Sequence, residues 1–384
     1  MSYWANKPLN LSNDNSLSYI LDSDTLLLNI NKEIANSKLS LDYHMLTSPN
    51  DQITSQLLQF INNNYNNINS NLSLQYSKDL FDYYITKDTL CILFYPHNKK
   101  PIDITTKNMI GFICGRPEII YIKQSDKNSN FKEYKTIDVN YLCLTKLLRN
   151  LHVSSYMINI LTKECILTFN KEINCAIYTI GKHVNTKSFS NKSFYHRPIN
   201  IDNLIESTLL QLNKDPETLK QVFQKFDWEK SFLNDYNFIY LQKDNLKKNK
   251  EMLENTIDQI YDKLLFINKI NYDIFDYKSK DDIRKILLNN AFYNFLIINK
   301  KTGKIEDFIS LYNLVTKNIT NNISSRNGYF YIFMTTKDDK HKFNLIEYIS
   351  EYIYKNNLLD MITFMDVDRK STRLNSSHVS ESRM

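Results

Sequence analysis

The sequence predicts a mixed α and β protein, of the α+β or α/β class, that is built from two related halves. Segments rich in β-branched and aromatic residues, bounded by Pro, Gly or Asn, alternate with segments in which apolar residues recur at helical period. A similar order of strands and helices occurs again in the second half of the chain. The 384 residues, 42% of them hydrophobic, suffice for two or three average domains with packed cores.

The elements of the first half follow from these patterns. Residues 1–50 are polar and predict irregular structure. An amphipathic helix begins at Asp51 and runs into an Asn-rich turn at 62–71, and helical period returns from Lys146. Strands are predicted at 90–95, 109–114, 119–122, 136–144 and 175–180.

The second half contains helical and strand-like segments in a comparable order. Helices are predicted at about 205–225, 246–265 and 345–354, and strands at 329–334 and 360–365. A hairpin joins 293–298 to 305–312 through a turn that contains Gly303. We therefore expect two domains, at 1–200 and 201–367.

Composition and charge exclude several classes of function. Only five glycines occur, where average usage predicts about 27, and none has the spacing of a nucleotide-binding loop. The net charge of +6 is not gathered into a stripe or tail, so no nucleic-acid partner is expected. The five cysteines form no CxxC pair, which favours reduced thiols and no metal site. Without a signal peptide or a long apolar run, we expect a cytoplasmic protein with no stable membrane insertion.

The end of the sequence differs in composition from the rest. Residues 368–384 read DRKSTRLNSSHVSESRM, rich in Ser and Arg. Their first part matches the translation of a common sequencing-library adapter, so we interpret 368–384 as an adapter artefact. The native chain is then expected to be cut near Val367.

The window 138–155 carries the clearest chemical signal. A strand ends near residue 143, and a helix begins a few residues later. Backbone N–H groups at the end of a strand can stabilise a developing oxyanion. A helix N-terminus with Lys146, Arg149 and His152 nearby can bind a pyrophosphate. A solvated basic turn explains the same residues, so both interpretations stay open from this window alone.

A set of ordered motifs adds a family resemblance. Residues 138–146, DVNYLCLTK, resemble the signature E-(I/V)-N-F-L-C-x-H-K of the N-myristoyltransferases, and 148–153 resemble its basic continuation. Further matches are YWANKP at 3–8, NY at 64–65, LQYS at 74–77, IGFI at 110–113 with Pro117, AIYTIG at 176–181, FYHR at 194–197 with Asn200, and DFISLY at 307–312. The order of these matches is more specific than any one of them.

The resemblance implies two fused acetyltransferase (GNAT)-like halves with a pseudo-twofold relation. The half at 1–200 would bind myristoyl-CoA, and the half at 201–367 would contribute most of the peptide groove. The implied reaction transfers the myristoyl group to the N-terminal glycine amine of a protein by direct attack on the thioester. Myristoyl-CoA is then a co-substrate, no cofactor is bound permanently, and the enzyme acts as a monomer on proteins that begin with Gly.

The resemblance also implies roles for individual residues. The catalytic set is the backbone amides of Tyr141 and Leu142, which form the oxyanion hole, with Asn140 and Thr179 near the attacking amine. The acyl-CoA set is Tyr3, Trp4, Lys146, Arg149, Asn150, His152 and Val153. The peptide set is Tyr76, Tyr195, His196, Ser310 and Tyr312. No metal ligand is implied.

Departures from the family pattern keep two alternatives open. Leu151 and His152 stand where basic residues are usual, and Thr145 replaces the signature His. The second signature, K-F-G-x-G-D-G, is absent, as is the C-terminal carboxylate that serves as the base in the family. An acetyl-CoA-dependent N-acetyltransferase is one alternative, and a CoA- or lipid-binding pseudoenzyme is the other.

Overall fold

The structure, a computed structural model, describes residues 23–37, 39–65, 71–124, 130–149, 151–170, 172–173, 175–178, 193–210 and 215–365. Several predictions fall outside these residues. They are the roles of Tyr3, Trp4, Asn150 and Thr179, the end of the strand predicted at 175–180, and the adapter-derived tail.

Helices and strands alternate along the chain. The helices are α1 (Ser23–Asn36), α2 (Asp51–Asn64), α3 (Lys78–Tyr84), α4 (Val153–Thr168), α5 (Ile201–Glu206), α6 (Pro216–Phe223), α7 (Phe232–Asp235), α8 (Lys243–Lys248), α9 (Lys250–Asn271), α10 (Lys280–Leu288) and α11 (Asp339–Lys355). The strands are β1 (Leu41–Leu46), β2 (Leu72–Gln75), β3 (Leu90–Pro96), β4 (Gly111–Lys123), β5 (Phe131–Leu144), β6 (Cys175–Tyr178), β7 (Phe194–Pro198), β8 (Tyr236–Leu241), β9 (Ile274–Asp276), β10 (Phe292–Asn299), β11 (Ile305–Asn318), β12 (Ser324–Met334) and β13 (Met361–Met365). The predicted mixture of α and β structure is confirmed.

The first compact unit is built on a mixed sheet. Among the described residues its strands follow the order β1-β3-β4-β5-β6, with β9 paired to β4. The neighbours are antiparallel except for the parallel pair β5–β6. Helix α4 forms the crossover between those parallel strands, and Met157 and Leu161 of α4 pack against Ile113 and Ile137 of the sheet.

The second compact unit repeats this arrangement with a larger sheet. Its described strands follow the order β7-β13-β12-β11-β10-β8, with β2 paired to β11. Here β12 and β13 are the parallel pair, and α11 forms the crossover between them. Leu345 and Ile349 of α11 pack against Phe295 and Ile309 of the sheet.

The two units do not divide the chain at a single point. Strand β2, from the first half of the sequence, belongs to the second unit, and residues Asp273–Tyr277, which contain β9, belong to the first. The compact units differ from the expected division at residue 200 at these two insertions and at β7, which precedes residue 200 but belongs to the second unit. Each inserted strand pairs with a strand far away in sequence, which local patterns do not encode.

The prediction that residues 1–50 are irregular is wrong over its described part. Helix α1 and strand β1 lie there. Ile30 of α1 is buried, and the Nδ2 atom of Asn159 on α4 donates a hydrogen bond of 2.8 Å to Glu33. Packing against α4 therefore stabilises a helix whose Asn-rich sequence gives a weak local signal.

Two predicted helices are each interrupted. The helix expected at 205–225 is replaced by α5 and α6, and Asp215 caps α6 directly before Pro216. Proline is favoured at the first position of a helix, so it starts a new helix here. The helix expected at 246–265 is replaced by α8 and α9, because Asn249 ends one and its side chain caps the next.

Strand β4 is longer than predicted, since it joins the segments 109–114 and 119–122. Pro117 lies inside it, opposite Ile137 of β5. The pairing of β4 with β3 ends at Gly115, and its pairing with β9 begins at Ile120. Pro117 therefore sits where β4 has a described partner on one side only, which is where a strand tolerates proline.

Gly328 on β12 provides a test of the second core. A Cβ atom at this position would overlap the Cδ1 atom of Leu359, which is 1% exposed. Gly328→Ala should therefore lower the free energy of unfolding by about 1–3 kcal/mol in urea denaturation. Leu359→Ala removes the clashing atom, so the double variant should lose less than the sum of the two single variants. Additive losses would contradict this account.

Candidate active site

The site-bearing strand β5 contains a bulge. Ile113 of β4 lies opposite two residues of β5, Tyr141 and Leu142. The flanking register pairs are Phe112 with Cys143 and Cys114 with Asn140. A bulge turns backbone groups out of the regular ladder, so it can direct N–H groups toward a ligand. It occurs at the two residues predicted to supply the oxyanion hole.

Tyr141 has an unfavourable backbone conformation that its surroundings maintain. Its φ of 54° lies in the left-handed region, which costs an L-residue roughly 1–2 kcal/mol. The side chain is 4% exposed, and its ring meets those of Tyr65 and Tyr84 edge-on at 6.5 and 6.0 Å. This packing holds the bulge in one conformation.

The bulge lies next to the end of the parallel pair β5–β6. The last described pair joins Val139 to Tyr178, and the bulge begins two residues later, at Tyr141. Thr136 also donates a hydrogen bond of 3.1 Å to the carbonyl of Cys175. Strand β5 is therefore held by β4 on one side and by β6 on the other, just before the bulge.

The side chain of Asn140 is oriented by a neighbouring carboxylate. Its Nδ2 atom donates a hydrogen bond of 2.8 Å to Oδ2 of Asp138. The thiol of Cys114 lies 3.6 Å from the backbone carbonyl of Asn140, which it faces as a weak donor. Asp138 was not predicted as a site residue, although it lies two residues from Asn140 and so shares its face of the strand.

A buried arginine adds positive charge to this face. Arg116, 8% exposed, is the register partner of Asp138 and forms an ion pair with Glu118. Its guanidinium also lies 5.4 Å from the ring centroid of Tyr84. A buried charge needs a partner of opposite sign, and Glu118 supplies one for Arg116, so the face beside the bulge is polar.

The thiols near the bulge are not nucleophiles. Burial raises the pKa of Cys143 to about 12 and that of Cys91 to about 12. Both are therefore protonated at neutral pH, and the thiolate is the reactive form.

The turn after β5 leads into an uncapped helix N-terminus. A 3-10 turn covers Lys146–Leu148, and α4 begins after His152, which has a φ of 58° and no capping side-chain bond. The first turn of α4 contains no acidic residue, and Lys146 and His152 are exposed. An uncapped N-terminus flanked by basic side chains suits an anionic group such as a phosphate.

Arg149 and Val153 have structural contacts at this turn. The Arg149 guanidinium donates hydrogen bonds to the backbone carbonyls of Asn64 and Leu144, the latter at 3.4 Å. Val153 is 2% exposed and belongs to the core under α4. The two residues therefore help to shape the turn on which Lys146 and His152 lie.

Part of the predicted peptide set lies together in the second unit. Ser310 and Tyr312 share a face of β11; Ser310 is buried, and Tyr312 stacks on Tyr329 at 5.3 Å. Burial raises the pKa of Tyr312 above its ordinary range. Tyr76 directly follows β2, whose Gln75 pairs with β11. The structure thus brings Ser310 and Tyr312 onto one strand and Tyr76 to the end of its neighbour.

Tyr195 and His196 lie elsewhere in the same sheet. They occupy β7, which is separated from β11 by β13 and β12. Tyr195 stacks on Phe364 at 5.6 Å, and the Nδ1 atom of His196 lies 2.9 Å from the hydroxyl of Thr363. Burial lowers the pKa of His196, so its imidazole is neutral at pH 7.

Comparison with known proteins finds a similar family for the first half of the chain. Residues 20–190 match the N-terminal domain of the myristoyl-CoA:protein N-myristoyltransferases. The chain is related to the N-myristoyltransferases. The glycylpeptide N-tetradecanoyltransferase of Plasmodium falciparum is 27% identical over 220 residues, which cover 57% of this chain and 47% of that protein. The enzyme of the same name from Kluyveromyces lactis is 28% identical over 240 residues, covering 61% of this chain and 46% of its own.

A solved N-myristoyltransferase shares the fold. The Saccharomyces cerevisiae enzyme with bound myristoyl-CoA superposes with a TM-score of 0.71 at 18% identity, covering 94% of this chain and 81% of that one. The expected GNAT-like fold is thereby confirmed. The chain spans about half the length of the curated N-myristoyltransferase relatives that it matches.

Two further features of the described residues concern metal binding and membrane insertion. Among the described residues, no group of three or more His, Cys, Asp or Glu side chains is placed to hold a metal ion. The described helices also include none that is long and apolar enough to span a membrane.

The different contacts of Arg149 and Lys146 can be tested by stability. Arg149→Ala leaves backbone carbonyls without their donor, so we expect the free energy of unfolding to fall by about 1–3 kcal/mol. Lys146→Ala is the matched control, since an exposed side chain should change it by less than about 0.5 kcal/mol. Urea denaturation without acyl-CoA measures both variants. Equal stability of the two would show that the Arg149 contacts contribute little.

Proposed function

We propose that this chain transfers a myristoyl group from myristoyl-CoA to the N-terminal glycine amine of proteins. The observation that carries the proposal is the bulge at Tyr141 and Leu142, which lies inside the segment that matches the N-myristoyltransferase N-terminal domain. The names of the curated relatives specify the acyl group and the glycyl acceptor. The related yeast structure contains myristoyl-CoA as its ligand.

The first unit would bind the acyl-CoA. The uncapped N-terminus of α4, with Lys146 and His152 exposed beside it, supports a role in holding the CoA phosphates. Arg149 and Val153 would act mainly by fixing the turn. Tyr3, Trp4 and Asn150 are proposed to complete the acyl-CoA site, on the basis of the motif resemblance.

The transfer step needs an amine, a thioester and an oxyanion hole. The neutral glycine amine attacks the thioester carbon, a C–N bond forms and the C–S bond breaks. CoA leaves as a thiolate, which takes up the proton that the nitrogen loses. Negative charge develops on the carbonyl oxygen as this happens. The N–H groups of Tyr141 and Leu142 are proposed to stabilise that charge, because a preorganised donor favours the transition state over the ground state.

Asn140 is proposed to orient the attacking amine, together with Thr179. A carboxylate only accepts hydrogen bonds, so the NH2 group of Asn140 must face Asp138. The Oδ1 atom of Asn140 is then left to accept a hydrogen bond from the glycine amine. Asp138 supports this arrangement as a positioning residue.

The second unit is proposed to supply the peptide contacts. Tyr76, Ser310 and Tyr312 would line one part of the peptide site, and Tyr195 and His196 another. A neutral His196 acts as a hydrogen-bonding group without a net charge. We further propose that the protein acts as a monomer in the cytoplasm, with no nucleic-acid partner.

The proposed activity is tested directly with the full chain. Incubation with myristoyl-CoA and a peptide that begins with Gly should yield a peptide heavier by one C14 acyl group, measured by mass spectrometry. The same peptide with an N-terminal Ala is the control and should not react. If the peptide gained an acetyl group from acetyl-CoA but no acyl group from myristoyl-CoA, the protein would instead be an N-acetyltransferase. Binding of myristoyl-CoA without transfer to any Gly-initiated peptide would identify a pseudoenzyme.

The oxyanion hole can be tested at Leu142. Leu142→Pro removes a backbone N–H group, so we expect kcat to fall by about 10²–10³-fold. Leu142→Ala keeps that group and should retain most of the activity. The Kd for myristoyl-CoA, measured by calorimetry, should stay within a few-fold for both variants and show that each is folded. A proline variant with unchanged kcat would remove Leu142 from the oxyanion hole.

A further inference from the structure

Two loops leave the first sheet side by side at the same end. The β3–β4 loop (residues 97–110) follows Pro96, and the β5–α4 turn (residues 145–152) follows Leu144. Gly111, the first residue of β4, pairs with Phe94 on one side and with Leu144 on the other. Neighbouring strands lie about 5 Å apart, so these loops emerge together.

The tips of both loops expose large apolar side chains. Ile102 in the β3–β4 loop is 99% exposed and Leu147 in the β5–α4 turn is 92% exposed, the highest values for large apolar side chains in the described part of the chain. Leu151 and Ile104 are 55% and 38% exposed. Single exposed apolar residues are ordinary on a protein surface. Here four of them share one end of a sheet, where they can enter a membrane interface together.

Lysines flank these apolar tips. Lys99, Lys100 and Lys107 are exposed on the β3–β4 loop, and Lys146 is exposed on the β5–α4 turn. The two loops themselves contain one acidic residue, Asp103, which is exposed, and Asp42 of β1 lies near His97. Lysine is therefore in excess over acid, and the surface is complementary to an anionic partner.

We propose that this loop surface, formed by residues 97–107, 145–149, 151 and 152, docks on an anionic lipid bilayer. Ile102 and Leu147 would enter the boundary between headgroups and acyl chains, and Lys99, Lys100 and Lys107 would contact anionic headgroups, which leaves Lys146 to the CoA phosphates. Separate protruding side chains suit a deformable bilayer better than a rigid protein surface, which requires a continuous complementary patch. The proposal rests on the proposed function. A peptide that carries a new C14 chain can bury that chain in the bilayer at once if the enzyme releases it beside a membrane.

The experiment measures binding of the full chain to lipid vesicles by sedimentation. Vesicles of phosphatidylcholine alone are compared with vesicles that also contain phosphatidylserine. We expect binding to the anionic vesicles and much weaker binding to the neutral ones. Absence of binding to the anionic vesicles would overturn the proposal.

Variants separate the apolar contribution from the charged one. Ile102→Asp should weaken binding to anionic vesicles by at least about tenfold, since it removes the burial of one large apolar side chain. Lys99→Ser with Lys100→Ser should weaken it by about 25-fold, at about fivefold for each lysine near the surface. The matched controls are Phe266→Asp on α9, which is 60% exposed, and Lys247→Ser with Lys248→Ser on α8. Neither control should change binding.

The same variants distinguish this proposal from the proposed function. Ile102→Asp should leave myristoyl transfer to a water-soluble peptide unchanged, because Ile102 is outside the catalytic and acyl-CoA sets. If the unaltered chain transfers no acyl group, the proposed function is wrong. The vesicle experiment still tests the docking surface in that case, because it does not depend on transfer. Vesicle binding that depends on the lysines but not on Ile102 would show general adsorption to polyanions, such as RNA, and would overturn the proposal.

Discussion

Strand β5 carries one residue more than β4 can pair, and the site depends on how the fold absorbs it. The extra residue appears as the bulge at Tyr141 and Leu142, where the regular antiparallel ladder is interrupted. Regular pairing on both sides prevents the strands from slipping to remove it, since a one-residue slip would turn every side chain to the opposite face. The unfavourable φ of Tyr141 is therefore retained, and its aromatic neighbours limit the alternatives.

The second sheet shows the same construction in another context. Strands β10, β11, β12 and β13 repeat the directions of β3, β4, β5 and β6, and a crossover helix precedes the last strand of each set. In β12, Tyr331 is an extra residue between the pairs Ser310–Ile332 and Leu311–Phe330. It lies two residues beyond Tyr329, the last β12 residue paired with β13, as Tyr141 lies two residues beyond Val139. The extra residue at the same place in both sheets supports a common origin of the two halves more strongly than their similar order of elements does.

Local sequence patterns predicted the strands that are buried and therefore nearly continuously apolar. The strand at 90–95 is observed as β3, and the strand at 360–365 as β13, because both are nearly continuous apolar runs. Strands β2 and β9 were missed, since each is short and gains its partner from a distant part of the chain. The cap at Asn249 divides α8 from α9 without a proline or glycine, which makes the boundary hard to predict.

The candidate site shows the same limit. The ordered motifs located Asn140, Tyr141, Leu142 and Lys146 near one strand end, where the structure places them. They did not predict the positive φ of Tyr141, because nothing in a tyrosine's local sequence signals it. The inward contacts of Arg149 were also not predictable, since they depend on the carbonyl of Asn64 at the end of another helix. The order of the motifs predicted where the site residues lie along the chain. The direction of their side chains depends on packing between segments that are distant in sequence.

The repeated fold also explains why the proposed phosphate site belongs to one half. Helices α4 and α11 occupy equivalent crossovers, yet their N-termini differ in charge. At α11 the carboxylate of Asp338 accepts a hydrogen bond from the backbone of His341, and Asp339 follows in the first turn. Two carboxylates at that end satisfy the helix dipole and repel an anion. At α4 no side chain caps the helix and no acidic residue lies in the first turn, so the backbone N–H groups of its N-terminus can bind a phosphate. A few substitutions at helix ends can therefore restrict the proposed phosphate site to one of two similar units.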